Sequence, residues 1–316
     1  MQHAVCFIAG PTASGKSDFA LALAKRWSAE IVNADSMQIY SDLDVLTARP
    51  SKTDQAGIPH HLYGHIDGSM AYDAAKYAEE ASALILNRVN AGTPIILVGG
   101  TGLYFKALLE GFASVPDIPE VVRSEVLALA EQSAEELYTA LSREDPVMAA
   151  RLNLLDRQRV GRALEVIRAT GKSLSEFQAQ DHEGPLGALD REGRILKIRF
   201  MPDRDKLYAR CNARFDKMID GGALEEVEAL MKRQLSSRLP VMRALGVSQL
   251  AAYLSGQHSL EEASDSVKMH TRRFAKRQLT WMRNQFDAWK AFNLKYNDKQ
   301  NEILIDKITK ILLTTE

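Results

Sequence analysis

Gly10-Pro11-Thr12-Ala13-Ser14-Gly15-Lys16-Ser17 follows the apolar run Ala4-Val5-Cys6-Phe7-Ile8-Ala9 and precedes Asp18-Phe19-Ala20-Leu21-Ala22-Leu23-Ala24-Lys25. The first run reads as a strand buried on both faces and the last carries good helix formers, while the eight residues between them spell G-x-x-x-x-G-K-S. Strand, glycine-rich turn and helix in that order form a phosphate-binding loop. Its glycines let the backbone approach phosphate oxygens, and its N–H groups and the helix N-terminus face an anion. Lys16 supplies a point charge, and the Ser17 hydroxyl is placed to ligate magnesium. A glycine-rich turn with no ligand is the competing reading.

The chain of 316 residues is long enough for one large core or for a core with an inserted smaller domain. A hydrophobic share of 46%, a charged share of 26% and a net charge of −1 describe an ordinary globular protein and exclude a chain that is basic throughout. Any nucleic-acid surface must therefore be local. Cys6 and Cys211 are the two cysteines, far apart and without C-x-x-C spacing, so neither a disulfide framework nor a zinc site is expected. A reducing, cytoplasmic setting fits that usage. The chain opens into its first strand without a charged-then-apolar leader, and apolar runs such as Pro94–Val98 are too short to span a bilayer.

Beyond the loop, a strand at Glu30–Asn33, a helix near Tyr72–Ala91 and a strand at Pro94–Val98 predict an α/β fold with a parallel sheet flanked by helices, of the P-loop NTPase-like kind. From Pro119 to Gln180 the pattern turns helical, with pieces near Glu120–Gln132, Ala134–Leu141 and Asp156–Thr170. This predicts an inserted all-helical domain over 119–193 within a core domain of 1–118 and 194–316. Val115-Pro116-Asp117-Ile118-Pro119 and the polar Asp181–Gly193 have linker composition. Arg194–Phe200 alternates with a period near two and returns the chain to the sheet, after which helices are expected to the end.

Three further groups carry chemistry. Asp35 lies in Asn33-Ala34-Asp35-Ser36-Met37-Gln38, just past the second strand, and ligands of open α/β sheets bind beyond the carboxyl ends of strands. It can serve as a general base, associate with magnesium, or cap a turn. Val98-Gly99-Gly100-Thr101-Gly102-Leu103-Tyr104 follows another strand end. There three glycines permit close approach and Thr101 offers a hydroxyl, with a purely structural turn as the alternative. Lys268–Lys290 holds seven Lys or Arg against Asp287 alone, with Arg272, Arg273, Lys276 and Arg277 at helical spacing and Phe274 and Trp281 as candidate core anchors. A basic helix with an apolar back suits phosphate-backbone contact, and a solvated charged face is the alternative. His60, His61 and His65 lack companions at metal-ligand spacing and read as structural.

These residues jointly resemble the bacterial tRNA dimethylallyltransferases, also called tRNA isopentenyltransferases, over nearly the whole chain. The resemblance rests on Gly10–Ser17, Ala34–Tyr40, Thr47-Ala48-Arg49-Pro50, Ile58–Leu62, Leu97–Leu109, Gln158–Gly171 and Ala275–Trp281. The chain departs from the family pattern at Leu46, where Gly is usual, at Asn153–Arg157, and at Val247-Ser248. The resemblance implies transfer of a dimethylallyl group from dimethylallyl diphosphate to N6 of the adenine 3′ of the anticodon. In that reading Asp35 takes the N6 proton and Thr101 orients the amine. Gly10, Thr12, Ala13, Ser14, Gly15, Lys16, Ser17 and Arg214 hold the diphosphate, Lys16 also acts in catalysis by stabilising charge on the leaving group, and Ser17 holds Mg2+. The tRNA anticodon stem-loop is assigned to Asp35, Ser36, Met37, Gln38, Thr101, Arg123, Gln158, Arg159, Val160, Gly161, Arg162, Arg243 and Arg277. A monomer without membrane association is implied. The adenine must flip out of its stack to react, at a cost of a few kcal/mol.

Other classes make different demands. A small-molecule kinase would use the loop and Asp35 but not the basic segment. An adenylate isopentenyltransferase would lack the large helical region. A non-enzymatic RNA-binding protein would leave the loop and Asp35 idle.

Overall fold

A computed structural model describes residues 3–180, 182–293 and 298–313. The chain folds as two compact units, one formed by Met1–Leu109 with Pro185–Glu316 and one by Glu110–Gly184.

The larger unit is built on a six-stranded parallel sheet. Its strands are β1 (Val5–Ala9), β2 (Glu30–Asn33), β3 (His60–His61), β4 (Ile95–Gly99), β5 (Ile195–Phe200) and β6 (Lys290–Phe292), in the order β3-β2-β4-β1-β5-β6. Parallel strands need crossovers and are covered on both faces, which is why β1 and β4 are continuous apolar runs. Alternate side chains of β1 enter different cores. Val5, Phe7 and Ala9 join Tyr77, Phe105 and Trp289, whereas Cys6 and Ile8 join Phe19, Leu23 and Phe200. The helix Lys16–Trp27 follows the loop, and the C-terminal helix Asp298–Leu313 packs on the second core through Ile305, Ile308 and Leu312. A third core gathers Leu46 from the stretch after β2 with Phe215, Val241 and Val267 from the helical elements beyond β5.

Two edge strands were not expected from sequence, because two and three residues are too short to show a period: β3, and β6 within the stretch expected to be wholly helical. His60 and His61 are β3. His61 Nε2 lies 2.7 Å from Glu30 Oε2 and His60 Nδ1 2.8 Å from the Ile58 carbonyl, which gives both rings protein partners.

The smaller unit is helical, with Glu120–Gln132, Ala134–Glu144 and Arg157–Thr170 packed through Val126, Leu137, Leu141, Val160 and Leu164. Ser133 caps Ala134–Glu144 and Asp156 caps Arg157–Thr170 with their side chains, and Gly171 ends the latter at φ +69°. The limits of the unit lie nearer the N-terminus than the predicted 119–193. Pro185–Gly193 belongs to the sheet unit, because Leu186 and Leu189 join its core and the Leu186 N–H donates to the Leu108 carbonyl at 2.9 Å. The stretch 110–118 belongs to the helical unit, where Ile118 packs with Val166 and Phe177. Asp181, the first residue of the expected linker, lies outside the described residues.

Candidate active site

β1 and β4 run in register, with Ala9 opposite Gly99, so the loops that leave them are neighbours at the carboxyl edge of the sheet. In the first loop Ala13 and Gly15 have φ of +59° and +86°, the left-handed turns that bring the chain round into the helix Lys16–Trp27. A Cβ on Gly10 would lie 2.9 Å from Ser14 Oγ, so the loop is folded tightly on itself. The N–H groups that open the helix have no intrahelical acceptor and are available to an anion. Ser14 Oγ is buried without a hydrogen-bond partner, and Ser17 is exposed.

Lys16 is buried, and Nζ donates to the Pro11 carbonyl at 3.3 Å. Burial lowers its pKa to about 8, against the attraction of Asp35 and with the repulsion of Arg214. Arg214, from the helix Arg204–Asp220, donates to Thr12 Oγ1, and burial lowers its pKa too. Asp35 is the one carboxylate that acts on both cations. A buried lysine and a half-buried arginine facing one carboxylate leave a positive excess that an anionic ligand would neutralise.

Asp35 is held by its own turn. Its N–H donates to Asn33 Oδ1 at 2.8 Å, and its Oδ1 accepts the Met37 N–H at 3.0 Å. Asn33, fully buried, donates in turn to the Asp35 and Leu62 carbonyls at 3.0 and 2.9 Å. Thr101 is tied to the same turn: its N–H donates to the Ala34 carbonyl at 3.1 Å, and its Oγ1 accepts the Ser36 N–H at 2.9 Å. Gly99 must be glycine, since a Cβ there would lie 2.0 Å from the Ala34 carbonyl oxygen.

One cavity of about 270 Å³ brings together Thr12, Asp35, Ser36, Met37, Arg214, Arg243 and Arg277 of the predicted residues. Its apolar wall includes Leu46, Phe215, Met218 and Phe274. Phe274 therefore faces the cavity, and the core face of the long helix Leu260–Gln285 is instead Ala275, Gln278, Leu279 and Met282. Trp281 packs over Gly102, where a Cβ would meet its ring at 1.9 Å. Within the basic segment, Lys268 pairs with Asp216 and Arg272 donates to Asn212 at 2.8 Å, while Arg273, Lys276, Arg277 and Arg283 are exposed.

Several predicted residues are placed elsewhere. Gln38 Nε2 donates to the Thr47 and Ala48 carbonyls at 3.0 Å each and so braces the loop rather than lining the cavity. Arg123, Gln158, Arg159 and Arg162 are exposed on the helical unit. Val160 and Gly161 are buried within that unit, so they supply packing and not a side chain for a ligand. Leu46, one departure from the family pattern, sits against Gly246, which directly precedes another, Val247-Ser248.

Sequence reasoning missed two residues. Gln278 accepts the Thr12 N–H at 2.8 Å and donates to the Gly100 carbonyl at 2.9 Å. Glu226 accepts the N–H groups of Asp44, Val45 and Leu46, the last two at 2.9 and 2.8 Å, and shapes the turn that carries Leu46 into the cavity wall. Asn33 was legible only as part of its motif.

The family model described as IPP transferase matches residues 38–285. The chain belongs to the IPP transferase family. Its relatives in the family include the tRNA dimethylallyltransferase of Rhizobium etli, 49% identical over 284 residues that cover 89% of this chain and 94% of the relative. The tRNA dimethylallyltransferase of Parvibaculum lavamentivorans is 45% identical over 307 residues, covering 97% and 96%. Among solved structures of the family, the full-length tRNA isopentenylpyrophosphate transferase of Bacillus halodurans gives a TM-score of 0.69 at 34% identity, covering 98% of this chain and 97% of that one. A eukaryotic dimethylallyltransferase, described as acting on tRNA, gives 0.80 at 26% identity over 98% and 80%. The α/β sheet expected from the first loop is thus the fold of IPP transferases.

Proposed function

We propose that this IPP transferase moves the dimethylallyl group of dimethylallyl diphosphate to N6 of the adenine immediately 3′ of the anticodon in tRNA, giving N6-isopentenyladenosine and diphosphate. The observation that carries the reading is the convergence of Lys16, Arg214 and Asp35 at one sheet edge, with the last two lining a half-apolar cavity. The reaction breaks the bond between C1 of the allyl group and its diphosphate oxygen. It forms a bond from C1 to N6, and it releases one N6 proton. Lys16, Arg214, Thr12 and the free loop N–H groups take the charge that grows on the leaving oxygen. Asp35 accepts the proton, because its Oδ1 is fixed by Met37 and the carboxylate faces the cavity. Thr101 holds the Asp35–Ser36 turn through Ser36 and orients the base. The apolar wall keeps water from the allyl group as positive charge develops on it.

Magnesium fits the donor set. Ser17 offers an exposed hydroxyl at the helix start, and no cluster of three His, Cys, Asp or Glu exists among the described residues. Such a site suits an ion that keeps its waters and rides on phosphate oxygens. Bound there through Ser17, Mg2+ would neutralise diphosphate charge.

For tRNA, the exposed Arg273, Lys276 and Arg277 provide phosphate contacts and Arg243 a further cation at the cavity. Arg123, Gln158, Arg159 and Arg162 of the helical unit extend the contact to the anticodon stem. Deleting Pro119–Gln180 should then weaken tRNA binding, and an unchanged affinity would rule that role out. No helix among the described residues is long and apolar enough to cross a membrane, and Cys6 and Cys211 are free.

The test is incubation of the protein with Mg2+, dimethylallyl diphosphate and unmodified tRNA, followed by nucleoside mass spectrometry. N6-isopentenyladenosine that disappears with Asp35→Ala supports the assignment. ATP turnover or prenylation of free AMP without a tRNA product would replace it.

A further inference from the structure

We infer that Gln278 is a positioning residue that locks the phosphate loop to the Gly99–Thr101 turn, so that diphosphate affinity and the alignment of Asp35 depend on one side-chain amide. The inference rests on the reading of the Gly10–Ser17 loop as a diphosphate site.

Gln278 lies on the buried face of the helix Leu260–Gln285, among Ala275, Leu279 and Met282, and is itself buried with 7% exposure. A polar side chain in that apolar row needs partners for both ends of its amide. Oε1 accepts the Thr12 N–H at 2.8 Å, and Nε2 donates to the Gly100 carbonyl at 2.9 Å. The orientation of the amide is fixed by these partners, since a backbone N–H only donates and a carbonyl only accepts. The two backbone groups belong to the loops that leave the adjacent strands β1 and β4. Residue 100 has no room for a side chain because of this contact: a Cβ there would lie 2.3 Å from Nε2.

Each end of the link reaches a reacting group. Thr12 is gripped twice, at its N–H by Gln278 and at its hydroxyl by Arg214, just before the left-handed Ala13. On the other side, Thr101 follows Gly100 directly and holds Ser36 beside Asp35. One amide thus spans from the leaving-group loop to the turn that braces the base through Ser36. Replacing it with an apolar side chain leaves a buried N–H and a buried carbonyl without partners, and the two loops would separate to hydrate them. A shift of about 1 Å between reacting atoms is enough to cost roughly a hundredfold in rate.

The experiment compares Gln278→Met, which keeps the length and removes both hydrogen bonds, with Gln278→Glu, which keeps only the acceptor while ionised. Thermal melting, calorimetric binding of inorganic diphosphate and steady-state kinetics with dimethylallyl diphosphate and tRNA are measured for each. For Gln278→Met the affinity for inorganic diphosphate falls about tenfold or more. KM for dimethylallyl diphosphate rises in parallel, kcat falls, and KM for tRNA stays near wild type. Gln278→Glu is weakened at neutral pH and recovers relative to wild type as the pH falls, because the protonated acid both accepts from Thr12 and donates to Gly100. A folded Gln278→Met protein with lower melting temperature but unchanged diphosphate affinity and KM overturns the inference. So does a Gln278→Glu protein whose ratio to wild type is flat with pH, which decides the matter if the Met variant does not fold. Wild-type protein that binds inorganic diphosphate but makes no prenylated tRNA would instead overturn the proposed function.

Discussion

Lys16 should make diphosphate binding depend on pH in a range where lysine is ordinarily inert. Its pKa is brought to about 8 from an ordinary 10.5, chiefly by burial. The titratable groups that act on it are Asp35, Arg214 and Cys211, and its Nζ donates to the Pro11 carbonyl. Arg214 remains a cation throughout, and burial raises the Cys211 thiol further from the range. Only the protonated lysine attracts the ligand, and a bound diphosphate keeps it protonated. The affinity contributed by Lys16 is therefore intact well below pH 8 and is lost as the pH rises through about 8, falling roughly tenfold between pH 7 and pH 9. At pH 8 binding should also draw about half a proton from the buffer. Calorimetry with inorganic diphosphate at fixed Mg2+, in buffers of different ionisation enthalpy, reads both effects. Lys16→Met is the reference, because the ligand and the ion titrate equally in each protein. The unliganded protein supplies an independent check. A lysine with a depressed folded pKa destabilises the fold below that pKa, and the penalty fades as pH rises toward 10.5, so Lys16→Met should be the more stable protein at pH 7, by at most about 3 kcal/mol. The reasoning is refuted if wild type and Lys16→Met lose affinity in parallel above pH 7, or if wild-type binding enthalpy does not depend on the buffer.

Asp35→Ala should lower kcat by about 10²–10⁴-fold in a folded protein. It should leave diphosphate binding equal or tighter, because the counter-charge shared by Lys16 and Arg214 is gone; calorimetry against single-turnover kinetics checks this. Glu226→Ala strips the acceptor from three backbone N–H groups at Asp44–Leu46 and should cost about 1–3 kcal/mol of stability in denaturant titration while raising substrate KM. Arg277→Ala should reduce the slope of log affinity for tRNA against log salt by about one phosphate contact, read from filter binding across a salt series. Gly99→Ala, which would set a Cβ 2.0 Å from the Ala34 carbonyl oxygen, should fail to yield folded protein in circular dichroism and gel filtration.

Much of the fold was legible because strands buried on both faces must be apolar throughout and short. Glu30–Asn33 lies where it was expected, Val5–Ala9 begins one residue after the expected Ala4, and Ile95–Gly99 is shifted by one residue from the expected Pro94–Val98. Glu120–Gln132 was readable as a helix from its residue pattern, and in the structure Ser133, whose side chain caps Ala134–Glu144, marks the break between the two. Edge strands carry no such marks. His60–His61 and Lys290–Phe292 become strands because a neighbour offers unpaired backbone groups, a property of the sheet and not of those residues.

The site was legible where the backbone itself is the ligand surface and illegible where a helix had to be rotated. Gly10–Ser17 announces itself because glycine spacing is a backbone constraint that any sequence must meet to fold round an anion. The helix Leu260–Gln285 announces its charge but not its facing. Phe274 and Trp281 are seven apart and suggest one apolar stripe, yet the buried row runs through Ala275, Gln278, Leu279 and Met282, one position along. Ala275 and Gln278 are too small or too polar to be picked as core by hydrophobicity. They are buried because the loops of β1 and β4 press directly on the helix there, and Gly100 leaves space for nothing but the Gln278 amide. The large aromatic Phe274 is thereby turned into the cavity with Phe215 and Met218, where it forms part of the apolar wall. A substitution such as Gly100→Ala should accordingly act on that helix as well as on its own loop, by displacing Gln278 and with it the Thr12 N–H. Loss of diphosphate affinity in Gly100→Ala that is not deepened by adding Gln278→Met would show the two positions to be one device, whereas additive losses would separate them.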